Sequence, residues 1–134
     1  INLTNKPTIL RLGGLDISKI QKILNCKIST DINPKTIIAP GQSRLHYSPG
    51  IPLKMNVTKP KKDQAFILIN KRKIKLKDYY YLSKKNDLDE AAKNLYSCLR
   101  SIKNMGYKSI AVAKIPNKGL GKAINDRLNR ASKF

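Results

Sequence analysis

The sequence predicts an α/β fold in which residues 51–134 form a mostly parallel sheet flanked by helices. Short apolar segments of strand length alternate there with segments whose apolar residues recur at helical spacing. Strands that alternate with helices imply parallel pairing, with the helices on the sheet faces. The 134 residues are 40% hydrophobic, which is enough for the core of one ordinary domain.

Residues 1–25 are predicted to form a small strand–strand–helix segment. Apolar and polar residues alternate at the start, break at Asn5–Lys6–Pro7 and resume over residues 8–12, as in two short strands joined by a turn. Asp16 or Ser18 then caps a predicted helix. The segment is too small to hold a core, so it is interpreted as the end of another domain. The helix has one apolar face, formed by Ile17, Ile20, Ile23 and Leu24.

Residues 26–50 have the composition of a linker. They include the stretch APGQSRLHYSPG, which contains two prolines, two glycines and the chain's only histidine, His46. Flexible linkers are polar and repetitive, whereas this segment also holds Ile37, Ile38 and Leu45. A connection of this length in a compact protein is usually functional or disordered. We interpret it as an ordered loop that lies on other parts of the protein.

The domain at 51–134 is predicted to contain four strands, within residues 51–57, 64–70, 78–83 and 108–115. The lysine-rich segment 71–77 between the second and third of them alternates charged and apolar residues. It is typical of an exposed edge or hairpin arm on which lysines prevent further pairing.

Two helices complete this domain. The first is predicted to be capped by Asn86, with acidic residues in its first turn, and to end at Gly106. The second begins near Leu120. The residues predicted to face inward are Leu88, Ala91, Ala92, Leu95, Cys98, Leu99, Ile102 and Met105 on the first, and Leu120, Ala123, Ile124, Leu128 and Ala131 on the second.

The turn PNKGLG before the last helix is a weak candidate phosphate-binding loop, because glycine-rich turns feed helix N-termini in nucleotide-binding folds. Only Gly119 and Gly121 match, and a tight strand-to-helix turn explains them equally well. Asn125, Asp126 and Arg127 are left open as capping, pairing or ligand-contacting residues. No residue is assigned a catalytic role and no metal site is predicted, because His46 has no partner histidine and Cys26 and Cys98 lack metal-ligand spacing.

The formal net charge of +20 suggests that the protein binds nucleic acid, but the residues that supply this charge weaken that interpretation. Lysine outnumbers arginine 22 to 6, and an A/T-rich genome favours lysine, isoleucine and asparagine codons. Three consecutive tyrosines, 79–81, are candidates for base stacking or for sheet packing. The sequence predicts two buried or half-buried thiols in a cytoplasmic protein, with no signal peptide and no apolar run long enough for a membrane span.

Three stretches resemble the long, two-domain threonylcarbamoyl-AMP synthase family. LTNKPTILRLGGLDISKIQKIL is similar to the end of its YrdC-type domain, where an Asp–Leu–Thr strand precedes an ILRPG strand and a helix. APGQSRLHYSP is similar to the family's SPGM…HYAP linker. IAVAKIPNKGLGKAINDRLNRASK is similar to the end of the family's C-terminal domain.

The resemblance implies an activity that makes threonylcarbamoyl-AMP and pyrophosphate from threonine, bicarbonate and ATP with magnesium, for the threonylcarbamoyladenosine modification of tRNA. It implies a Rossmann-like domain at 51–134, and no tightly bound cofactor. Arg11 matches the arginine of ILRPG that contacts the nucleotide, and His46 and Tyr47 match the linker residues that approach it. The linker is then a lid that excludes water from a readily hydrolysed acyl-phosphate.

The chain departs from the family pattern at three points. Leu12 stands where the family has proline, and Ser48 replaces an alanine. The chain is also expected to begin inside the last part of the YrdC-type domain, without most of the substrate pocket. The leading hypothesis is therefore a C-terminal accessory part that is inactive alone and works with a YrdC-type domain in cis or in trans. The alternatives are a basic module that binds RNA or tRNA, and a nucleotide-binding regulator that uses the glycine turn.

Overall fold

The computed structural model of the protein describes residues 1–4, 6–30, 37–39, 48–70 and 76–133. Nine elements are present in this part of the chain. In chain order they are β1 (Thr8–Ile9), α1 (Ile17–Leu24), β2 (Ser29–Thr30), β3 (Leu53–Lys54), β4 (Gln64–Asn70), β5 (Tyr79–Ser83), α2 (Leu88–Asn104), β6 (Ser109–Val112) and α3 (Leu120–Ala131).

Four of the strands form one parallel sheet in the order β3-β6-β4-β5. The predicted parallel α/β architecture is confirmed. The chain moves from β4 to β5 in one direction and then crosses through α2 to β6 on the other side of β4. The predicted first strand is shorter than expected, because only Leu53 and Lys54 make a regular ladder. The Val57 amide still donates to the Val112 carbonyl at 2.9 Å.

Helices α2 and α3 pack together on one face of this sheet, and most of the core lies between them and the strands. The strand side chains that point there include Ile67, Leu82 and Ile110, all fully buried. The other face carries a smaller apolar cluster around Phe66, Leu68 and Ala111. A sheet buried on both faces explains why β4 reads as a continuous apolar run in the sequence.

The apolar faces of the two long helices were predicted almost correctly. Leu95, Leu99 and Ile102 on α2 are buried, as are Ala123, Ile124, Leu128 and Ala131 on α3. Met105 was placed in the core wrongly, since 65% of it is exposed. It lies one residue beyond the last helical position, where the chain turns away into Gly106 at a φ of 77°.

The cap of α2 also differs from the prediction. Asn86 adopts a left-handed backbone conformation, with φ at 61°, so it belongs to the preceding turn. Asp87 is extended and is the cap, because its carboxylate accepts the Asp89 amide at 2.7 Å. For α1 the choice between two candidates falls on Asp16, whose carboxylate accepts both the amide and the hydroxyl of Ser18 at 2.9 Å.

The first part of the chain forms a separate small unit. Asn2 and Thr8 make an isolated antiparallel bridge across the predicted turn. Strand β1 then pairs in parallel with β2, which lies in the range predicted as linker. The hydroxyls of Thr8 and Ser29 are 2.8 Å apart across this pair. Helix α1 has no buried residue, although its apolar residues lie on one face.

The two cysteines differ in environment. Cys98 on α2 is half-buried, and burial raises the pKa of its thiol to about 12. Cys26 is exposed, so the prediction of a buried or half-buried thiol is wrong there. It follows the end of α1, which leaves its own apolar face uncovered. Within the described ranges, no helix has the length and hydropathy to cross a membrane.

Candidate functional site

The turn between β6 and α3 is built around a close contact of two backbone segments. A Cβ atom on Gly121 would lie 1.9 Å from the carbonyl oxygen of Pro116, so no larger residue fits without a backbone shift. Gly119 is the N-cap, with φ at 49° and ψ at −133°, a conformation that L-residues rarely adopt. Packing and backbone conformation therefore account for both glycines.

Some backbone amides of this turn donate hydrogen bonds to carbonyl oxygens of the same turn. Gly121 donates to the Lys118 carbonyl at 2.9 Å, and Lys122 donates to the Gly119 carbonyl at 3.2 Å. A phosphate-cradling loop instead aims its first amides at the anion. The geometry favours the tight-turn interpretation of PNKGLG, and a phosphate at Gly119 and Gly121 stays a prediction.

The N-terminal unit reaches this same turn. Leu12 and Gly13 line a cleft of about 20 Å³ together with Gly119 and Lys122. The Ser18 amide and hydroxyl, with a smaller contribution from Lys122, hold the pKa of Asp16 below its ordinary value. The end of the predicted YrdC-type segment and the start of α3 therefore form one continuous surface.

Arg11 lies next to that cleft, in a wider groove of about 390 Å³. The groove is mainly apolar, with Ile9, Leu15 and Ile20 among its walls. Arg11 is half-buried. Of the three residues that the resemblance assigns to nucleotide binding, it is the one that the structure describes. His46 and Tyr47 lie outside the described residues, so their approach to Arg11 stays a prediction.

The three polar residues left open on α3 have structural partners. Asn125 donates its amide to the Ile115 carbonyl at 3.2 Å, which ties the helix to the preceding loop. Asp126 accepts from the buried Arg130 Nε at 3.1 Å, one helical turn later. The guanidinium of Arg127 lies 5.9 Å from the ring centre of Tyr96 on α2.

The three consecutive tyrosines pack within the sheet. Tyr79 makes an edge-to-face contact with Phe66, with ring centres 5.1 Å apart. The Tyr80 hydroxyl donates to that of Tyr107, which in turn donates to Asp78 at 2.8 Å. These bonds, the one with Tyr80 foremost, raise the pKa of Tyr107 well above its ordinary value. All three tyrosines are half-buried, which favours sheet packing over base stacking.

A buried serine organises the turn between β5 and α2. The Ser83 hydroxyl donates to Glu90 at 2.6 Å and accepts the amides of Lys85 and Asp87 at 3.1 and 2.9 Å. The Ser83 hydroxyl, together with the Lys84 amide, holds the pKa of Glu90 below its ordinary value. Sequence reasoning assigned Glu90 to the helix dipole and missed this role.

Sequence reasoning also missed a cavity on the outer side of α2. It has a volume of about 180 Å³ and is lined by Ser48, Pro49, Tyr96, Leu99, Arg100 and Lys103. The spacing of Tyr96, Arg100 and Lys103, four and three residues apart on one helix face, was the available signal. Among the described residues, no group of three or more His, Cys, Asp or Glu side chains is placed to hold a metal ion.

The chain is an α/β protein in which a short strand–helix unit with an exposed apolar face precedes a small domain built on a parallel sheet. Residues 15–133 match the family model described as threonylcarbamoyl-AMP synthase, C-terminal domain. The match covers most of the chain, so the protein belongs to this family, and it corresponds to the C-terminal portion of the two-domain form.

Individual relatives agree with the family model. Threonylcarbamoyl-AMP synthase of Pyrococcus abyssi is 28% identical over 156 aligned residues, which take in all of this chain and 45% of the relative. The Bacillus subtilis protein of the same name is 28% identical over 145 residues, covering 94% of this chain and 42% of its own length. This chain therefore spans less than half the length of these relatives.

A solved structure has the same fold. The crystal structure of P. abyssi Sua5 complexed with L-threonine is similar with a TM-score of 0.77 at 26% identity. The similarity covers 97% of this chain and 44% of that chain. It extends beyond the parallel sheet to the N-terminal unit, because so little of this chain is left out.

Proposed function

We propose that this chain is the accessory C-terminal part of an L-threonylcarbamoyladenylate synthase and is inactive by itself. A YrdC-type domain, in cis or in trans, supplies the catalytic pocket. The complete enzyme converts threonine, bicarbonate and ATP with magnesium to threonylcarbamoyl-AMP and pyrophosphate, a nucleotidyl transfer. The product serves the threonylcarbamoyladenosine modification of tRNA in the cytoplasm, where tRNA and other modification proteins are the further partners.

The observation that carries this proposal is the uncovered apolar face of the N-terminal unit. Ile23 on α1 is 83% exposed and Leu15 before it is 68% exposed. Ile1 and Leu3 are also more than half exposed. Fully burying one such side chain is worth about 2 kcal/mol. An amphipathic helix with no buried residue needs a second body to cover it.

The strand pair in this unit supports the same conclusion. β1 and β2 form a two-residue parallel pair. Parallel strands occur almost only within larger sheets that are covered on both faces, and isolated two-stranded pairs are marginal in water. We propose that the YrdC-type domain continues this sheet and covers α1. The family membership and the limited coverage of the relatives support that occupant.

In the complete enzyme, Arg11 is the described residue proposed to contact the nucleotide. Its groove is formed by the same residues that the YrdC-type domain is proposed to cover, which would enclose Arg11 at the junction. The guanidinium then supplies a charge-assisted contact to phosphate oxygens. His46 and Tyr47 are proposed to close over the nucleotide from the linker and to exclude water.

The proposal is tested by the formation of threonylcarbamoyl-AMP from threonine, bicarbonate and ATP with magnesium. Three samples are compared: this chain, a separately produced YrdC-type domain, and their mixture. We expect no product from this chain alone and a higher rate in the mixture than in the YrdC-type domain alone. Product formation by this chain alone would contradict the proposal, as would a mixture with no gain in rate and no association by size.

A further inference from the structure

The cavity on α2 is positively charged, and none of the described residues that line it is acidic. Two basic side chains line the cavity. They belong to Arg100 and Lys103, which lie one turn apart on the helix. The Nζ atom of Lys103 lies beside Gly50, at the point where the chain enters the sheet domain. Two cations that face one concave space repel each other unless an anion lies between them.

Neutral donors and a shaped wall add to these charges. The Ser48 hydroxyl accepts the Gly50 amide at 3.2 Å, so its own hydrogen is available to donate. Pro49 is buried against the helix and gives the cavity a fixed floor. A hydroxyl, a guanidinium and an ammonium around about 180 Å³ match the needs of a phosphate group.

A third cation lies near Tyr96, one of the residues that line the cavity. Arg127 stacks on Tyr96, and its Nε atom is buried with no hydrogen-bond acceptor among the residues that the structure describes. The nearest acid on the same helix, Asp126, is already engaged by Arg130. Arg127 therefore adds a positive charge beside Tyr96, and its Nε makes no hydrogen bond to a carboxylate of the described residues.

The presence of arginine at these positions is notable because arginine is rare in this sequence. The chain has 22 lysines and only 6 arginines, so lysine is the default cation. Two of the six arginines are nevertheless near Tyr96: Arg100 lines the same cavity, and the guanidinium of Arg127 lies 5.9 Å from the ring centre. Arginine differs from lysine in its planar fork, which binds phosphate through two parallel hydrogen bonds and stacks on aromatic rings.

We propose that this cavity, the Arg100 cavity, is a binding site for a phosphate group. Arg100 and Lys103 contact the phosphate oxygens, Ser48 donates a third hydrogen bond, and Arg127 packs against Tyr96. The phosphate comes either from a small polyphosphate or from the backbone of RNA. The inference does not rest on the proposed function, because it concerns the binding of phosphate to this chain alone.

The test is a titration of the 134-residue chain with inorganic pyrophosphate at low ionic strength, followed by NMR, and a parallel titration with a tRNA transcript. The variant R100Q/K103Q removes two charges from the cavity. The matched control K61Q/K62Q removes two charges from exposed lysines in the loop before β4. All four residues are exposed, so both variants are expected to keep the melting temperature of the parent chain.

We expect R100Q/K103Q to weaken binding at least about tenfold and K61Q/K62Q to change it less than about twofold. Saturable pyrophosphate binding with this pattern identifies a small polyphosphate as the ligand. The same pattern with tRNA alone identifies an RNA phosphodiester. Equal weakening by both variants would overturn the proposal, because it would show a diffuse charge effect. Absence of binding to either probe would overturn it as well.

Discussion

Replacing Gly121 with alanine is expected to destabilise the protein although it adds only one methyl group. The new Cβ would lie 1.9 Å from the Pro116 oxygen and 3.1 Å from the Pro116 carbonyl carbon. Side-chain Cβ atoms do not approach other atoms closer than 3.0 Å, so the loop and α3 must separate by more than 1 Å. The neighbour is backbone and cannot rotate away.

The magnitude follows from two opposing effects. Overpacking that forces a backbone shift costs about 3 kcal/mol. Alanine gains about 1 kcal/mol over glycine in helix propensity. The net loss is therefore about 2 kcal/mol, which lowers the melting temperature of a domain of this size by roughly 6 °C.

Urea and thermal unfolding followed by circular dichroism measure this loss. The matched control is Gly13→Ala, since a Cβ atom on Gly13 meets nothing within 4 Å. We expect the control to stay within about 0.5 kcal/mol of the parent chain. If Gly121→Ala were as stable as Gly13→Ala, the close contact that explains PNKGLG would be absent, and a ligand-binding role for the glycine would gain support.

Three further predictions concern the turn before α2 and the thiols. Ser83→Ala removes a buried hydroxyl that donates one hydrogen bond and accepts two from backbone amides. We therefore expect the free energy of unfolding, measured with urea, to fall by about 1–3 kcal/mol. The control Ser101→Ala, at an exposed position, should cause no significant change. The folded-state pKa of Glu90 is lowered, so its stabilising contribution is complete above the unfolded-state pKa of about 4.3 and is lost as the pH falls through the lower folded-state value. Glu90→Gln should therefore show a smaller drop in urea midpoint between neutral and acidic pH than the parent chain; an equal drop would refute the assignment. The pKa of the Cys98 thiol is about 12 instead of 9.0, so at mildly alkaline pH it has roughly a thousandfold less thiolate than a thiol with the ordinary pKa. Iodoacetamide should therefore modify the exposed Cys26 first. Mass spectrometry should show one adduct in the native protein and two in urea. Equal rates for the two thiols in the native protein would contradict this.

The parallel sheet and its two helices could be predicted because their signals are local. The continuous apolar run of β4 and the helical spacing around Leu95 each report their own burial. The cap of α2 was placed one residue early, because Asn86 and Asp87 are both good capping residues. The choice depends on which of them takes the left-handed backbone conformation, and this is set by the Ser83 network across the turn.

The candidate site was harder to predict because its parts are far apart in the sequence. Leu12 and Gly119 line the same cleft although they lie more than 100 positions apart in the sequence, and no local pattern marks their proximity. The Arg100 cavity likewise depends on Pro49 folding back onto α2. The exposed state of Ile23 was not visible in the sequence, since an apolar helix face reads the same whether it is covered or not.

We propose that the exposed apolar face of α1 receives a YrdC-type catalytic domain. Ile23 lies on that face, whereas the exposed Lys22 lies on the opposite side of the helix. The most direct measurement is the initial rate of threonylcarbamoyl-AMP formation by a mixture of the two chains, with Ile23→Gln compared with Lys22→Gln. We expect Lys22→Gln to keep the rate of the parent mixture. We expect Ile23→Gln to lower the rate about tenfold or more, because roughly 1.5–3 kcal/mol of apolar burial is lost. Equal rates for the two variants would contradict docking through this face.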